Sequence, residues 1–379
     1  MTDKNLKIRK AFITDWLEKY GGAERVVTAI SEAYDFDYYY AYVNKMNEQK
    51  MLMTFGGKKV TVEDSVILKK FKKHFRYLLP LFPFIITRFN RQTQKNKVDL
   101  VISSSWALSK AYRIGDEVHV CYLQARNFKY VWDEAGMYFN GPLKLLYPLK
   151  TFLQRFDLRS ANNPDYLIAN SEFVRNWVQK YYQRDATVIY PPVDVEDFHI
   201  SPTRGDYYIS IGRMEPYKRF DVVIDAFILN NKPLKVVGDG TQVKKLMKNS
   251  AASPNIEYLG FRVKSEIIDL ISNAKGFVYA GMEDFGIVMV EALASGVPVI
   301  AYREGAAKEI VEDGKTGVLY DAQTPEALNE ALDKYENAQH GFVAEDLRNS
   351  ALKFSKSCFK DQLKEFIDNI NFNHQNRDI

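Results

Sequence analysis

Residues 276–301 read GFVYAGMEDFGIVMVEALASGVPVIA, and the order of apolar and helical segments in this stretch decides the fold. Gly276–Tyr279 and Val297–Ala301 are short, continuously apolar runs, which are typical of strands in a sheet covered on both faces. Gly286–Ser295, which lies between them, has helical spacing. A strand, a helix and a second strand of these lengths predict a right-handed crossover in a parallel sheet.

The same alternation continues on both sides of this stretch. In the second half of the chain it predicts strands and helices in turn at Tyr207–Ile211, Phe220–Leu229, Leu234–Val237, Thr241–Asn249, Ile256–Leu259, Ser265–Asn273 and Val318–Tyr320. In the first half the pattern is less regular. There it predicts a helix at Glu24–Ala33 and strands at Lys7–Ile13, Tyr34–Tyr42, Leu100–Ser103, Val118–Leu123, Tyr166–Ala169 and Thr187–Tyr190.

Length and the breaks in this pattern predict two domains. A chain of 379 residues is long enough for two domains that each bury a core. Prolines and a glycine interrupt regular structure between residues 191 and 206, so the linker is placed there. We predict an α/β fold with Rossmann-like domains at residues 1–195 and 205–353. Because open parallel sheets bind ligands beyond the carboxyl ends of their strands, two such domains facing each other would share a cleft.

The overall composition argues against several classes of protein. The 52 basic and 48 acidic side chains give a net charge of +4, which is too balanced to indicate a nucleic-acid partner. Cys121 and Cys358 are far apart and lack zinc-site spacing, so we expect reduced thiols in a cytoplasmic protein. The first ten residues have no apolar signal core. The longest apolar run, Leu78–Ile86, contains two prolines and is too short to span a bilayer.

The first candidate site follows the strand predicted at Tyr207–Ile211 and reads GRMEPYK over residues 212–218. A strand-to-helix turn in a parallel sheet opens toward the ligand, so Arg213 and Lys218 can both reach a phosphate there. A diphosphate leaving group gains negative charge as its bond to a sugar breaks, and two fixed cations would stabilise that charge without a metal. The alternative is a solvated turn with ordinary surface charges.

The second candidate site reads GMEDFGIVMVE over residues 281–291. Gly286 begins a predicted helix, whose first amides can hold anions or hydroxyl groups. Glu283 lies in the preceding loop, where its carboxylate can reach a sugar hydroxyl. Glu291 lies among apolar helix residues, and a buried carboxylate needs a polar partner such as a ribose diol. The alternative for Glu291 is a place on the helix surface or a structural ion pair.

Seven motifs, in order along residues 20–320, together resemble the retaining family-4 glycosyltransferases with the GT-B fold. They are Tyr20-Gly21-Gly22-Ala23-Glu24, Asn170-Ser171-Glu172-Phe173-Val174, Tyr190-Pro191-Pro192-Val193-Asp194, Gly212-Arg213 with Lys218, Val237-Gly238-Asp239-Gly240, the pair Glu283 and Glu291, and Gly305 to Glu309 with Gly314 and Gly317. The resemblance implies two Rossmann-like domains with parallel sheets facing an interdomain cleft. It also implies a C-terminal helix, residues 354–379, that crosses back to the N-terminal domain.

The resemblance assigns roles to the residues that the physical argument singles out. Arg213 and Lys218 would bind the diphosphate of a nucleotide-sugar donor, Glu291 its ribose and Glu283 the transferred sugar. Gly21 and Gly22 precede a helix, where missing side chains let backbone amides approach the reacting groups, unless the pair forms a plain turn. The other donor-binding candidates are Gly212, Gly238, Phe261 beside the base, and the backbone of Phe285, Gly286, Ile287 and Val288.

His119 is the fourth catalytic candidate, with Arg213, Lys218 and Glu283. Taken alone, a histidine on a predicted strand is more often a core residue. Its context, HVCYL, resembles the place where the family keeps a histidine that contacts the donor sugar. The segment at residues 126–133 resembles a subset that transfers mannose from GDP-mannose in bacterial surface polysaccharide assembly. Residues 124–130 read QARNFKY where that subset shows a Thr-Pro-Met-Arg-Tyr-type run, a departure that bears on the sugar and the acceptor.

The expected chemistry follows from what the motifs contain. No carboxylate pair is evident on both faces of the sugar, so the resemblance implies front-face substitution with retention of configuration. A donor phosphate oxygen would accept the proton of the acceptor hydroxyl, and no general base is assigned. We expect no metal and no cofactor, since the nucleotide sugar is itself a substrate.

The segment at residues 69–97 predicts either a membrane contact or a packed helix. It carries nine Lys or Arg residues interleaved with aromatic and aliphatic ones, and no acidic residue occurs between Asp64 and Asp99. Such a segment suits the anionic inner face of the cell membrane, where a lipid-linked saccharide acceptor would lie. The alternatives are a core helix with a solvated basic face, or attraction of a free anionic acceptor.

Two other functions share this architecture. A nucleotide-sugar epimerase would interconvert free donor sugars and need no acceptor pocket. A non-catalytic nucleotide-binding module would have no use for Arg213, Lys218, Glu283 and Glu291 together. A dehydrogenase is disfavoured because no Gly-x-Gly-x-x-Gly run follows the opening strand. These motifs leave open the base, the sugar, the acceptor, the linkage and the oligomeric state.

Overall fold

The computed structural model describes residues 8–71, 74–129, 131–133, 135–138, 147–338 and 341–370. The chain divides into two compact units. The first unit contains the chain up to Tyr190 and from Lys360 onward, and the second contains Pro191–Phe359. Several residues named above lie outside the described ranges, namely Lys7, Lys72, Lys73, Tyr130 and 371–379.

A parallel sheet with the strand order β3-β2-β1-β4-β5-β6-β7 forms the centre of the first unit. Its strands are β1 (Lys10–Leu17), β2 (Tyr38–Asn44), β3 (Val62–Asp64), β4 (Leu100–Ser105), β5 (Val118–Leu123), β6 (Tyr166–Ala169) and β7 (Thr187–Val188). The strands β4 and β5 are buried at every position, which is why their residues, apart from His119, are apolar or small. The helices of this unit are α1 (Gly22–Ala33), α2 (Glu48–Thr54), α3 (Val66–Lys70), α4 (Phe82–Thr93), α5 (Ala135–Tyr138), α6 (Tyr147–Ser160) and α7 (Glu172–Trp177).

The second unit repeats this design with the strand order β10-β9-β8-β11-β12-β13, again all parallel. Its strands are β8 (Tyr208–Ile211), β9 (Leu234–Val237), β10 (Ile256–Gly260), β11 (Gly276–Tyr279), β12 (Val299–Tyr302) and β13 (Gly317–Tyr320). Its helices are α8 (Phe220–Asn230), α9 (Val243–Asn249), α10 (Lys264–Ser272), α11 (Ile287–Ala294), α12 (Ala307–Ile310), α13 (Pro325–Ala338) and α14 (Ala344–Ala351). The last helix, α15 (Lys356–Asp368), begins in this unit and ends in the first.

The segment after Pro191 is fixed by backbone hydrogen bonds within the second unit. The amide of Val193 donates to the carbonyl of Phe354 at 2.9 Å, and the amide of Lys356 donates to the carbonyl of Val193 at 3.1 Å. These bonds place Val193 and residues 354–356 in the second unit, outside the range of 205–353 predicted for it. Within the first unit, the end of α15 packs on β6 through the rings of Phe366 and Tyr166, whose centroids are 6.0 Å apart.

Two strands of the first unit differ from the prediction. The strand β2 begins at Tyr38 rather than Tyr34, because the amide of Tyr34 donates to the carbonyl of Ile30 and closes the end of α1. The short strand β3 pairs with β2 and was not predicted. Its residues are half-buried and two of the three are acidic, so the apolar pattern that marks the other strands is lacking.

The strand order reverses once in each sheet, between β1 and β4 in the first unit and between β8 and β11 in the second. At such a reversal the loops that follow the two neighbouring strands diverge and leave a crevice, where ligands bind in open parallel sheets. The two segments predicted to carry the chemistry, 212–218 and 281–291, begin after β8 and β11. The fold therefore brings both candidate sites to one crevice.

In the first unit, a side chain of the protein itself occupies the position where the strand order reverses, between β1 and β4. Asp15 on β1 is fully buried, and its carboxylate accepts hydrogen bonds from four consecutive backbone amides in the segment that follows β4. The donors are Trp106 at 2.7 Å, Ala107 at 2.9 Å, Leu108 at 2.6 Å and Ser109 at 2.6 Å. The carboxylate therefore fixes the segment after β4 to β1.

We predict that Asp15→Ala lowers the free energy of unfolding by roughly 3 kcal/mol or more, because it leaves several buried amides without an acceptor. Denaturant unfolding checks this value. Asp37→Ala is the matched control, since the Asp37 carboxylate is exposed and accepts one backbone amide, that of Lys10 at 2.9 Å. Equal effects of the two substitutions would contradict the role given to Asp15.

Candidate functional site

The side chains of Lys218 and Glu283 meet at the crevice of the second unit. The Lys218 ammonium donates to Oε1 of Glu283, and the two side chains are only 18% and 13% exposed. These residues come from the two clusters that the sequence analysis treated separately. Their contact follows from the pairing of β8 with β11, which brings the loops after these strands to the same edge of the sheet.

A tight turn presents the cations of the first cluster. Pro216 opens a single 3₁₀ turn that ends at Lys218, and the next residue, Arg219, adopts a left-handed conformation with φ of 53°. Arg213 is exposed and donates from Nη2 to the hydroxyl of Tyr217 at 2.8 Å. The Lys218 ammonium lies 5.7 Å from the centroid of the same ring. Tyr217 thus contacts both predicted phosphate-binding cations.

The loop of the second cluster is anchored on both sides of Glu283. Its carbonyl accepts the amide of Ala306 at 3.0 Å, which ties the loop to the segment after β12. The hydroxyl of Tyr279, the last residue of β11, donates to the same carboxylate oxygen that Lys218 contacts. Glu283 is therefore held by one fixed hydrogen-bond donor and one cation.

The helix α11 begins directly after this loop. Gly286 stands before it in a left-handed conformation with φ of 109°, and Ile287 and Val288 in the first turn are half-buried. Glu291 is 4% exposed among the apolar residues of α11, so the structure places this carboxylate inside rather than on the helix surface. Phe285 is buried against Phe354, with ring centroids 5.4 Å apart. Its backbone, rather than its ring, remains the candidate donor contact.

Gly238 is required where β9 ends. Its φ is +131°, and a Cβ atom there would lie 2.0 Å from the carbonyl oxygen of Gly212, so no other residue fits. This close approach packs the loops after β8 and β9 against each other. Phe261 is a different case. It is 76% exposed after the edge strand β10, which the sheet order separates from β8 by β9.

In the first unit, the structure adds a residue that the sequence analysis missed. Gly21 and Gly22 are exposed, and Gly21 precedes α1 without a side chain that caps the helix. Gln124 follows β5 directly, and its Nε2 donates to the carbonyl of Ala23 at 2.8 Å and to Oγ of Ser104 at 2.6 Å. Gln124 therefore joins the glycine loop to the carboxyl ends of β4 and β5. The sequence feature that could have indicated Gln124 is its position directly after a predicted strand.

The prediction that His119 contacts the donor sugar is wrong in its geometry. His119 is the second residue of β5, at the amino end of the strand, whereas ligands of parallel sheets bind at the carboxyl end. It is 2% exposed, and its Nε2 lies 2.7 Å from Oγ of Ser103. Burial lowers the pKa of His119 to about 3, so the imidazole is neutral at physiological pH. The structure supports the alternative reading of His119 as a core residue.

The described residues offer neither a metal-binding cluster nor a membrane-spanning helix. No group of three or more His, Cys, Asp or Glu side chains among them is arranged to hold a metal ion. None of the helices in the described ranges has the length and hydropathy needed to cross a bilayer.

Two protein-family models match the chain. The model described as Glycosyltransferase Family 4 matches residues 20–197, and the model described as Glycosyl transferases group 1 matches residues 195–354. The two matches meet a few residues after the division between the units, so each unit corresponds to one model.

Individual relatives that match the chain are also named as glycosyltransferases. The chain is 31% identical over 204 residues to an uncharacterized glycosyltransferase of Methanocaldococcus jannaschii, across 52% of this chain and 56% of that protein. It is 29% identical over 179 residues to the phosphatidyl-myo-inositol mannosyltransferase of Mycobacterium leprae, across 44% of this chain and 48% of that protein. The matches thus span about half the length of these curated relatives.

Solved structures share the architecture. The structure of Anabaena HepE in complex with UDP-glucose has a TM-score of 0.74 at 19% identity, over 95% of this chain and 100% of that chain. Two Rossmann-like units with parallel sheets, in this order, define the GT-B fold. The chain belongs to the family-4 glycosyltransferases with that fold.

The buried neutral state of His119 predicts a pH dependence of stability. Its folded-state pKa lies below the ordinary value of 6.5, so the unfolded chain binds this proton more readily and stability falls as the pH drops below 6.5. Between pH 7.5 and pH 5 the loss from this residue should be about 2 kcal/mol.

Denaturant unfolding at the two pH values measures this loss. His119→Gln should lose less stability than the wild type over the interval, by about that amount. The exposed His74 provides the control, because His74→Gln should leave the wild-type loss unchanged. Parallel losses in the wild type and His119→Gln would contradict a neutral buried imidazole.

Proposed function

We propose that the chain is a glycosyltransferase that moves a hexosyl group, mannose from GDP-mannose as the leading candidate, to a saccharide or lipid-linked saccharide acceptor. The reaction would retain the configuration of the sugar and need no metal. The observation that carries this proposal is the meeting of Lys218 and Glu283 at the crevice between β8 and β11. A site for a sugar diphosphate needs a cation that binds the leaving phosphate and a carboxylate that binds a sugar hydroxyl.

The cations would stabilise the leaving group. A nucleoside diphosphate gains negative charge as the sugar departs, and fixed positive charge in a partly buried site stabilises it strongly. Lys218 is 18% exposed, so water screens its charge less than that of a surface lysine. Its ammonium donates to Glu283, which holds the cation at this edge of the sheet. Arg213 would add a second cation, held by Tyr217.

The rest of the donor would extend along the same edge of the sheet. Glu291 is buried on α11 one turn after the first amides of that helix, and its carboxylate would bind the ribose diol. The backbone amides from Phe285 to Val288 would face the sugar and its phosphate. Gly212 and Gly238 would let the nucleotide approach the ends of β8 and β9 closely.

We propose that the configuration of the sugar is retained because the substitution takes place on its front face. Oε1 of Glu283 already accepts hydrogen bonds from Lys218 and Tyr279, and a carboxylate so engaged is a poor nucleophile. The acceptor hydroxyl would attack on the face that the diphosphate leaves, and a phosphate oxygen would take its proton. The protein would contribute positioning and charge stabilisation.

Mannose is proposed as the sugar on two grounds. Residues 126–133 resemble the subset of the family that uses GDP-mannose, although Tyr130 lies outside the described residues. The Mycobacterium leprae relative is named a mannosyltransferase. UDP-glucose is the ligand of the similar Anabaena structure, so uracil and guanine nucleotides must be compared directly.

Calorimetric titration in EDTA with GDP, UDP, ADP and their sugar conjugates tests the site. One nucleotide family should bind without metal, and Lys218→Ala should weaken its binding roughly 10- to 100-fold, because it removes a charged hydrogen bond to phosphate. Lys248→Ala, an exposed lysine on α9, should bind as the wild type does.

Two results of this titration would count against the proposal. Binding that needs a divalent metal would contradict the proposal that the reaction is metal-independent. The absence of nucleotide binding would contradict the proposed donor site. Conversion of the free donor sugar without an acceptor would favour the epimerase instead.

A surface of the first unit is proposed to bind an anionic membrane, on whose cytoplasmic side a lipid-linked acceptor would lie. Tyr77, Leu81 and Phe84 are 68%, 55% and 65% exposed. On α4, Arg88 and Arg91 lie one and two turns after Phe84 and are exposed on the same face. Exposed aromatic and aliphatic groups beside cations suit a bilayer of anionic lipid, and the segment carries no acidic residue that would repel it.

Cosedimentation with vesicles tests this surface. The wild type should bind vesicles of phosphatidylglycerol and phosphatidylcholine, less so in high salt, and should not bind phosphatidylcholine alone. The triple substitution Tyr77→Ser, Leu81→Ser and Phe84→Ser should weaken binding roughly tenfold or more. Met53→Ser, which removes an exposed apolar side chain of α2 in the same unit, is the control. Binding that is indifferent to the triple substitution would contradict insertion of these side chains.

A further inference from the structure

Tyr279 contacts both charged residues of the proposed donor site. It is the last residue of β11 and is 4% exposed. Its hydroxyl donates to Oε1 of Glu283, the oxygen that also receives the Lys218 ammonium. The centre of its ring lies 5.6 Å from the same ammonium. One buried side chain thus borders the carboxylate and the cation together.

The position of Tyr279 is fixed on several sides. Its ring stacks on that of Phe277, with centroids 6.3 Å apart and planes inclined by 13°. Its backbone carbonyl accepts a hydrogen bond from the hydroxyl of Tyr320 at 3.2 Å. Burial raises the pKa of Tyr279 well above its usual value, so the hydroxyl keeps its proton and remains a donor. The carboxylate of Glu283 therefore faces a donor that can neither move far nor ionise.

The chain between these two residues bends closely around the hydroxyl. A Cβ atom at Gly281 would lie 2.9 Å from the Tyr279 hydroxyl oxygen and 3.1 Å from Cα of Lys218. A side chain at this position would push apart the two loops that meet in the crevice. The glycine therefore lets the loop of Glu283 return over the end of β11, so that the carboxylate reaches the hydroxyl.

The two oxygens of Glu283 have different surroundings. Oε1 accepts from Tyr279 and Lys218, whereas Oε2 has no hydrogen-bond partner among the described residues. With Oε1 fixed at two points, the plane of the carboxylate is determined and Oε2 is left as a directed acceptor. A sugar hydroxyl is the kind of donor that such an oxygen would bind.

We propose that Tyr279 is a positioning residue that aims Oε2 of Glu283 at a hydroxyl of the transferred sugar. This inference rests on the proposed donor site and assigns to Tyr279 the recognition of the sugar, separately from the nucleotide. Lys218 serves the diphosphate whether or not a sugar is attached. Tyr279 acts only through Glu283, so its hydroxyl matters only when the sugar is present.

The variant Tyr279→Phe tests this separation, since it removes the hydroxyl and keeps the ring that packs on Phe277. Calorimetry should give a Kd for the nucleoside diphosphate within about twofold of the wild type. The Kd for the matching nucleotide sugar should rise roughly 5- to 10-fold, as expected for one hydrogen bond to a charged group. In a Glu283→Ala background, Tyr279→Phe should have no further effect on either Kd.

Tyr208→Phe provides a matched control in the same unit. The Tyr208 hydroxyl donates to Oε1 of Glu336 at 2.9 Å, and Lys275 contacts the same oxygen at 2.7 Å, an arrangement like that of Tyr279, Glu283 and Lys218. Tyr208→Phe should leave both dissociation constants unchanged. Thermal unfolding of each variant reports any general loss of stability.

The outcomes separate this inference from the proposed function. A wild type that binds the nucleotide sugar, with a Tyr279→Phe variant that binds it equally well, overturns only the role of Tyr279. Equal weakening of diphosphate and nucleotide sugar also overturns it, because Tyr279 would then act on Lys218 or on the fold. A wild type that binds neither ligand overturns the proposed donor site and this inference with it.

Discussion

The contact between Lys218 and Glu283 joins residues 65 positions apart in the chain, and it depends on the pairing of β8 with β11. Because the strand order reverses there, the loops after these strands leave the sheet next to each other. The loop after β8 lies close to both of its neighbours: a Cβ atom at Gly281, after β11, would lie 3.1 Å from Cα of Lys218, and one at Gly238, after β9, would lie 2.0 Å from the carbonyl oxygen of Gly212. The placement of charge in the second unit therefore follows from sheet topology and from two positions where only hydrogen fits.

Under the proposed function the protein would contribute positioning rather than proton transfer, and two buried titratable groups agree with this. Burial keeps His119 unprotonated and Tyr279 protonated at physiological pH, so each has a single protonation state. Lys218 and Glu283 face each other as an ion pair and are both largely shielded from solvent. A site of this kind offers fixed charges and fixed donors, and these are the groups that front-face substitution at a sugar diphosphate would use.

The regular parts of this arrangement were predictable from the sequence, because buried parallel strands carry continuous apolar runs. The strands β5, β6, β9 and β11 begin and end where the sequence analysis placed them. The strand β3 was missed because an edge strand of three half-buried residues has no such run. The prediction that His119 contacts the donor sugar was wrong. His119 lies near the start of a predicted strand, whereas ligands of parallel sheets bind where the strands end.

The contacts within the site were beyond prediction from the sequence. The residues Lys218 and Glu283 could be named, because each lies in a motif after a strand. Their hydrogen bond depends on the strand order, which a single sequence does not determine. Tyr279 looked like an ordinary apolar strand residue, and its hydroxyl gains a role only from the backbone bend at Gly281. Asp15 in the first unit illustrates the same limit, and it has one more consequence. Its carboxyl oxygens already accept the four amides after β4, so the acceptor that these amides require comes from the protein itself. The two sheets of similar design therefore differ chemically at their crevices, and under the proposed function the chain would hold a single equivalent of nucleotide.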